Sequence, residues 1–214
     1  MPGELQTLVE MQTFDSREAW LANRAHAIGG SEISAVVGLN PYMSNVDLWE
    51  TKTGRKQPED ISENPFVKYG TQAERYLRGL FRLDFPQYTV DYVENNSFTN
   101  SKYPWAQASL DGWIADENGR RGVLEIKTSS NPRKWGAIPQ NYLCQILLYL
   151  AVTESDFAIL RAQIKKQDSR SEIKDFRVER ELFEYDIEYL MQKGAEFWEY
   201  VRRDECPPLV LPQI

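Results

Sequence analysis

Two short segments of this chain carry acidic side chains that a turn between them would bring together. They are Ser109–Gly112 and Leu124–Lys127, and the turn residues Asp116–Gly119 lie between them. The Asn-Gly step in that turn is the strongest short-range signal for a hairpin. Folding back near residue 118 sets Asp111 opposite Glu125, or at most one position away. The spacing therefore predicts two carboxylates at one place.

The side chains beside these acids indicate what the pair could do. Strand side chains alternate between two faces, so Glu125 and Lys127 share a face while Ile126 points the other way. Two buried like charges are costly unless a cation offsets them. Mg²⁺ takes a few carboxylate oxygens and leaves the rest of its shell to water and phosphate. The implied chemistry is metal-assisted phosphodiester hydrolysis. The alternative is that these acids and the lysine are solvated residues of an ordinary surface hairpin.

One predicted helix, Thr71–Phe85, carries an acid on its apolar face. Glu74 shares the face of Leu77 and Phe81 by helical spacing. An inward carboxylate needs a partner, and the sequence offers two. Arg78 could form an ordinary pair one turn further on, or a metal ion or its bound water could approach Glu74.

A second predicted helix, Ala137–Val152, is almost entirely apolar but has one polar stripe. Tyr142, Gln145 and Tyr149 recur along it at helical spacing. A buried glutamine must find hydrogen-bond partners. Those of Gln145 could be backbone groups or side chains of a neighbouring site.

A glycine turn precedes a third helix near the start of the chain. Gly29 and Gly30 interrupt the chain, and Ser31 is the expected N-cap of a helix from Glu32 to Val37. A helix N-terminus favours phosphate, and Arg24 is close in sequence. An ordinary glycine turn with a capping serine is the alternative.

The remaining periodicity predicts further helices and strands around these segments. The order of elements favours an α/β (α+β) fold with a central mixed sheet flanked by helices and an antiparallel hairpin at its centre. The other predicted helices are Arg17–Leu21, Asp47–Thr53 and Leu182–Arg203; the predicted strands are Thr89–Phe98, Ala106–Ile114, Gly122–Thr128, Phe157–Ile164 and Ile173–Glu179.

Composition narrows the class of protein. The 214 residues suit one globular domain, with 205–214 as an extended C-terminal tail. A single histidine excludes hydrolases that hold a metal by several histidines of one chain. The net charge of −7 argues against nonspecific coating of nucleic acid. Because no membrane span or signal peptide is recognisable, we expect a cytoplasmic protein, in a bacterium or a phage-infected cell.

Five sequence blocks occur in a fixed order along the chain. They are Arg24 with Ile28–Ile33, Tyr69–Glu74, Ser109–Gly112, Leu124–Thr128 and Tyr142–Gln145. Together they resemble the YqaJ-like phage-type recombination exonucleases, which are lambda-exonuclease-like members of the PD-(D/E)xK nuclease superfamily with a restriction-endonuclease-like core.

The resemblance implies a role for each matching residue. Asp111 and Glu125 would hold Mg²⁺, or Mn²⁺ as a substitute, with the Ile126 carbonyl as a further ligand, and Glu74 would approach a second metal or its water. Lys127 would orient or help deprotonate the attacking water. Gln145 would steady Lys127 or the nucleophile beside Tyr142. The implied 5′-phosphate contacts are Arg24, Ser31 and Ser109.

The resemblance also implies an activity and partners. The expected enzyme degrades linear double-stranded DNA from a 5′-phosphorylated end in the 5′→3′ direction and leaves 3′ single strands for recombination by strand annealing. A ring-shaped homotrimer and a single-strand annealing protein are the implied partners. Two alternatives stay open: a PD-(D/E)xK endonuclease, and a catalytically inert DNA-binding module.

Overall fold

The computed structural model describes residues 8–58, 60–166 and 170–211. Within these ranges the chain forms nine strands and six α-helices, joined by two short 3₁₀ turns at Pro132–Trp135 and Arg180–Leu182. In chain order they are β1 (Val9–Thr13), α1 (Arg17–Arg24), β2 (Ile28–Gly29), α2 (Gly30–Val36), α3 (Asn45–Lys52), α4 (Pro65–Asp84), β3 (Thr89–Asp91), β4 (Asn96–Asn100), β5 (Ala106–Ala108), β6 (Gly112–Ala115), β7 (Arg121–Ser129), α5 (Gln140–Thr153), β8 (Phe157–Lys165), β9 (Ser171–Glu179) and α6 (Glu184–Arg203).

The strands form two mixed sheets with helices around them, which confirms the predicted fold class. The five-stranded sheet has the order β3-β6-β7-β8-β9, in which only β7 and β8 are parallel. The four-stranded sheet has the order β1-β4-β5-β2, in which only β5 and β2 are parallel. Strand β7 is central in the larger sheet, so both of its edges are hydrogen-bonded to neighbouring strands.

Two predicted strands are each broken in two, and this corrects the sequence prediction. Thr89–Phe98 divides into β3 and β4, and Ala106–Ile114 divides into β5 and β6. In both cases the halves belong to different sheets. The chain therefore crosses from one sheet to the other at 92–95 and again at 109–111. Asp111 lies in the second crossing.

The hairpin between β6 and β7 has the predicted register. Gly112 pairs with Leu124, so the next position along the ladder sets Asp111 against Glu125. The Asp116 carboxylate closes the turn by accepting hydrogen bonds from two backbone N–H groups, at 3.0 and 2.9 Å. Gly119 takes a φ of +77°, which glycine adopts without steric cost.

Helix α5 lies between the two sheets. It contacts β4 and β5 of one sheet and β7 and β8 of the other, as well as helices α2 and α6. Every residue from Cys144 to Thr153 is buried, which explains why the helix is apolar on nearly all sides. The opposite face of the larger sheet is covered by α4, whose Leu77 and Phe81 pack on Leu124 and Ile126.

Several helix boundaries differ from the prediction by a few residues, as where α5 begins at Gln140 instead of Ala137, and two others differ for clear local reasons. Helix α4 begins at Pro65 instead of Thr71, because Asn64 caps it and proline is favourable in a first turn. Helix α2 begins at Gly30, and its N-cap is Gly29 instead of Ser31. The backbone N–H of Gly29 is satisfied by the Glu32 carboxylate at 2.7 Å. Ser31 is thus inside the first turn.

The end of the described chain lies against α3. Residues 205–211 have no regular secondary structure. The Asn45 side chain donates to the Pro208 carbonyl at 2.8 Å and accepts from the Val210 N–H at 2.9 Å. None of the described helices combines the length and apolarity that crossing a membrane requires. That the chain is one domain remains a prediction.

Candidate active site

Most of the predicted site residues line one cavity of about 310 Å³, here called the acidic cavity. It lies where β6, β7, α4 and α5 meet, beside the start of α2. Tyr142 lines a connecting cavity that shares Glu74 and Lys127 with it. The predicted residues in the wall of the acidic cavity are Arg24, Ser31, Glu74, Ser109, Asp111, Glu125, Ile126, Lys127 and Gln145.

Asp111 is held by hydrogen bonds to its side chain and to its backbone. Its Oδ2 accepts from the backbone N–H of Ile126 at 2.8 Å. Its carbonyl oxygen accepts from the guanidinium of Arg78, which is buried over the ring of Tyr92 at 3.5 Å. Burial raises the pKa of Asp111, while Lys127, the Ile126 N–H and Arg78 oppose the rise.

Asn96 fixes the bend that carries Asp111, and the sequence did not reveal this role. The Asn96 side chain is 3% exposed. Its Oδ1 accepts from the Leu110 N–H at 2.8 Å, and its Nδ2 donates to the carbonyls of Leu110 and Val93, each at 2.9 Å. One amide therefore satisfies backbone groups at both crossings between the sheets. No local pattern marks an asparagine for such a role.

Glu125 is the most enclosed acid of the site. It is 3% exposed, and its Oε1 accepts from the Lys127 ammonium and from Nε2 of Gln145, the latter at 2.7 Å. Gln145 also donates to the hydroxyl of Tyr149 at 2.8 Å. The alternative in which Gln145 is bonded to the backbone is wrong, because this amide serves a carboxylate. A side chain at Gly30 would collide with Tyr149 and Gln145, so the glycine lets α2 approach α5.

The electrostatics of the site indicate a missing positive charge. Burial and the Asp111 carboxylate raise the pKa of Glu125 to about 8 and that of Glu74 to about 7. For Lys127, burial favours the neutral form, but Glu125 and Asp111 outweigh it and raise the pKa of the ammonium. Even with the Arg78 guanidinium nearby, the pKa values of these three carboxyl groups stay raised, and a bound divalent cation would lower them.

Glu74 approaches this cluster from α4. Glu74 and Arg78, both within the described part of the chain, do not form the ordinary ion pair that the sequence offered as an alternative. The Arg78 guanidinium donates to the Asp111 carbonyl instead. Asp111 and Lys127 are the charges that act most strongly on the carboxyl group of Glu74. Glu74 therefore belongs electrostatically to the acid cluster.

The donor set suits a hard cation that keeps part of its own water shell. Among the described residues, no three acidic, histidine or cysteine side chains form a ready-made cage for a metal ion. Mg²⁺ does not require such a cage, since it is typically held by one or two carboxylates with waters and substrate phosphates. Asp111 and Glu125 supply two carboxylates of raised pKa in adjacent positions. These residues fit Mg²⁺ on chemical grounds.

A cationic end of the same cavity is formed by Arg24. Its guanidinium stacks on the ring of Trp20 at 4.8 Å and donates to the Ser31 hydroxyl at 3.2 Å. The Trp20 indole N–H donates to Ser109 Oγ at 3.2 Å. All three predicted phosphate contacts therefore lie together. Helix α2 has only seven residues, so the side chains, and not its N-terminus, define this end.

Lys52 supports the cationic end from α3, and sequence reasoning missed it. Its side chain is 2% exposed and forms an ion pair with Glu32 at 2.9 Å. The same ammonium donates to the Arg24 carbonyl at 2.9 Å. One buried lysine thus ties α3 to the end of α1 and the start of α2. Its distance in sequence from Arg24 concealed the contact.

Comparison with known proteins gives one family and two curated relatives. The family described as "YqaJ-like viral recombinase domain" matches residues 19–156. The uncharacterized protein YqaJ of Bacillus subtilis (strain 168) is 26% identical over 189 residues, which cover 86% of this chain and 56% of that protein. The uncharacterized protein R354 of Acanthamoeba polyphaga mimivirus is 26% identical over 181 residues, covering 77% of this chain and 32% of that protein. The chain therefore spans about half of the first relative and about a third of the second.

Solved structures share the fold. An alkaline exonuclease from Laribacter hongkongensis matches with a TM-score of 0.61 and 19% identity, over 87% of this chain and 95% of that one. Its complex with dAMP matches with a TM-score of 0.62 and 18% identity over the same shares. A putative exonuclease from Eubacterium rectale matches with a TM-score of 0.54 and 13% identity, over 93% and 90% of the two chains.

Proposed function

The chain belongs to the YqaJ-like viral recombinase domain family, and from this premise we propose that it is a metal-dependent 5′→3′ exonuclease acting on linear double-stranded DNA. The observation that carries the proposal is the meeting of Asp111, Glu125 and Lys127 with Arg24 in one cavity. Acids with a lysine suit phosphodiester hydrolysis, and an arginine at the other end suits a terminal phosphate. An alkaline exonuclease shares this fold and has also been solved in complex with dAMP, which supports the proposal.

The acids would hold the metal. We assign Asp111, Glu125 and the Ile126 carbonyl to Mg²⁺, with Mn²⁺ as a substitute, and Glu74 to a second ion or its water. When bound, the ion supplies Lewis-acid activation of the scissile phosphate. Gln145 keeps the Glu125 carboxylate in place through its amide hydrogen bond, and Tyr149 in turn holds that amide.

Lys127 would act on the attacking water and on the charge that develops at the phosphate. Its pKa is raised by the neighbouring carboxylates, so at neutral pH it is an ammonium and a hydrogen-bond donor. From its place beside Glu125 it can orient the attacking water or help to deprotonate it, and it can stabilise the negative charge that develops at the phosphate. The ring of Tyr142 lies 5.0 Å from this ammonium and limits its position.

End recognition would be the work of Arg24, Ser31 and Ser109. An arginine fork with hydroxyl donors suits a phosphate monoester. Because these groups and the acids line one cavity, a phosphorylated 5′ end and the next phosphodiester can be engaged together. Removal of nucleotides from that end leaves a 3′ single strand. We further propose that the strand is used in recombination by annealing, with a single-strand annealing protein as partner.

A ring-shaped homotrimer would account for processive action, since an encircled duplex cannot diffuse away between cuts. This assembly belongs to the proposal and is tested by the mass of the protein in solution. Sedimentation equilibrium at several protein concentrations should give three times the chain mass. A monomer at every concentration would remove the ring from the proposal without affecting the chemistry.

One assay tests the function. End-labelled linear duplexes with and without a 5′-phosphate, and a closed circular duplex, are incubated with the protein and Mg²⁺. We expect mononucleotides from the phosphorylated linear duplex, much slower release from the unphosphorylated one, and an intact circle. Cutting of the circle would establish the endonuclease alternative. Duplex binding with no hydrolysis in Mg²⁺ or Mn²⁺ would establish the inert module.

A further inference from the structure

A second cavity, of about 530 Å³, is joined to the acidic cavity through the connecting cavity that Tyr142 lines. We call it the aromatic pocket, and its walls are defined by Tyr42, Phe66, Tyr69, Lys134, Trp135 and Lys165. A connecting cavity shares Glu74 and Lys127 with the acidic cavity, and Tyr42 and Phe66 with the aromatic pocket. The three cavities thus form one continuous groove, in which Arg24 is followed by the acids and then by the aromatic pocket.

The aromatic pocket presents large rings to solvent. Tyr42 is 81% exposed and Phe66 is 70% exposed, on the loop before α3 and in the first turn of α4. Aromatic side chains of this size are normally buried or engaged in binding. Two of them on the rim of one cavity, next to a catalytic cluster, indicate a surface that is covered when substrate is bound.

The inner wall is ordered by ring contacts and hydrogen bonds. The Trp135 ring stacks on Tyr142 with centroids 5.7 Å apart and planes 21° apart. The Tyr69 hydroxyl donates to Gln163 at 2.8 Å. The indole N–H of Trp135 is buried and has no hydrogen-bond partner in the part of the chain that the structure describes. The wall is therefore formed before a ligand arrives.

The charge of the aromatic pocket is opposite to that of the acidic cavity. Lys134 and Lys165 line it, and none of the described lining residues is acidic. The Lys165 ammonium lies 3.2 Å from the ring centroid of Tyr69, which places a cation beside a stacking surface. This contrast occurs in a chain with a net charge of −7. Rings and cations together suit a ligand with a flat aromatic group and a phosphate.

We propose that the aromatic pocket binds an unpaired nucleobase of the DNA strand, on the 3′ side of the scissile phosphate. The inference rests on the proposed function, which sets the 5′-phosphate at Arg24 and the scissile phosphate at the acids. The groove then leads the following nucleotide past Lys127 to Tyr42 and Phe66. The volume suits one nucleotide, and stacking on aromatic rings accepts every base, as a nuclease without sequence preference requires.

The experiment uses 5′-phosphorylated single-stranded oligonucleotides with one abasic residue placed at successive positions. Binding is measured by fluorescence anisotropy in EDTA, so that no strand is cut. We expect the wild-type protein to lose about tenfold in affinity when the abasic residue is at one position near the 5′ end. A Tyr42→Ala/Phe66→Ala double variant should bind the intact strand as weakly as the wild type binds that abasic strand. The double variant should lose no further affinity when it is given the abasic strand. Tyr185→Ala, which removes a 79% exposed ring on α6, is the matched control and should bind as the wild type does.

Two results would overturn the proposal. One is an equal loss for the double variant and the wild type at every abasic position, and the other is failure of the wild type to bind the intact strand. A parallel incubation of duplexes with Mg²⁺ separates this proposal from the proposed function. A position-dependent loss of affinity without any cleavage would retain the nucleobase site and reject the exonuclease. Cleavage of the duplex, with an affinity that does not depend on the abasic position, would retain the exonuclease and reject the nucleobase site.

Discussion

The substitution Asn96→Ala should damage catalysis far more than its effect on stability accounts for. Asn96 is the side chain that joins the two crossings between the sheets, and Asp111 lies in the second of them. The variant deletes three hydrogen bonds and leaves the buried N–H and carbonyl of Leu110, and the part-buried carbonyl of Val93, without that partner. At ~1–3 kcal/mol for a buried group left unpaired, with water replacing part of the loss, we expect a decrease of ~2–4 kcal/mol in the free energy of unfolding.

Asn100→Ala provides the matched control on the same strand. Asn100 is 2% exposed, and its amide donates to the Val152 carbonyl at 3.1 Å and accepts from the Lys102 N–H at 2.9 Å. Its substitution removes a comparable buried amide at the other end of β4. We expect a similar loss of stability, measured by urea denaturation, because both sites lose backbone partners.

The two variants should differ in activity. A displacement of Asp111 by about 1 Å would lower kcat by ~100-fold, since reacting groups must be held close to their productive geometry. It would also raise the Mg²⁺ concentration needed for half-maximal rate. Asn100→Ala should retain the wild-type kcat and Mg²⁺ requirement at a temperature where both variants are folded. If Asn96→Ala is destabilised like Asn100→Ala yet cleaves as the wild type does, Asn96 does not position the metal ligand.

Four further outcomes follow from the site. Lys127→Ala should abolish cleavage while the far-ultraviolet circular dichroism stays that of the wild type, because Glu125 can take up a proton when its ammonium partner is removed; an active variant would refute the role of the ammonium. Arg24→Ala should cleave phosphorylated and unphosphorylated ends at nearly equal rates, and an unchanged ratio would reject end recognition by this arginine. Lys52→Met should lower the free energy of unfolding by ~3–5 kcal/mol, because it leaves Glu32 as an unpaired, largely buried charge; a loss near zero in urea denaturation would contradict this. Without divalent metal, the folded protein binds protons more tightly than the unfolded chain at Glu74 and Glu125, whose pKa values rise from 4.5 to about 7 and about 8. The stability they contribute is complete below pH 4.5 and is lost as the pH rises to about 8, and Mg²⁺ should remove this dependence in thermal melts.

The local parts of the site were predictable from the sequence. The hairpin that brings Asp111 to Glu125 is specified by a turn signal and by strand alternation, which act over a few residues. The helix with Gln145 is specified by a long apolar run. Where neighbouring residues decide the conformation, as in the Asp116–Gly119 turn, prediction and structure agree.

The parts that depend on distant contacts were not predictable. The breaks in two predicted strands are stabilised by one asparagine amide reaching 14 residues along the chain. Lys52 donates a hydrogen bond to the Arg24 carbonyl, 28 residues away along the chain. Gln145 finds its partner 20 residues away, on a strand of the larger sheet. Periodicity carries no information about such pairs, because it reports only which face a residue presents.

The enclosure of α5 has a consequence for how this molecule can assemble. Because sheets and helices of the same chain surround its buried part, Cys144–Thr153, a second molecule reaches that part only by unfolding the first. Contacts with other subunits or proteins must therefore use the outer layer, which includes β1 and β9, the edge strands of the two sheets as described, and the exposed side of α6. Substitutions on this outer layer do not touch the packing around Gln145, so a variant that no longer associates should keep the hydrogen bond that holds Glu125.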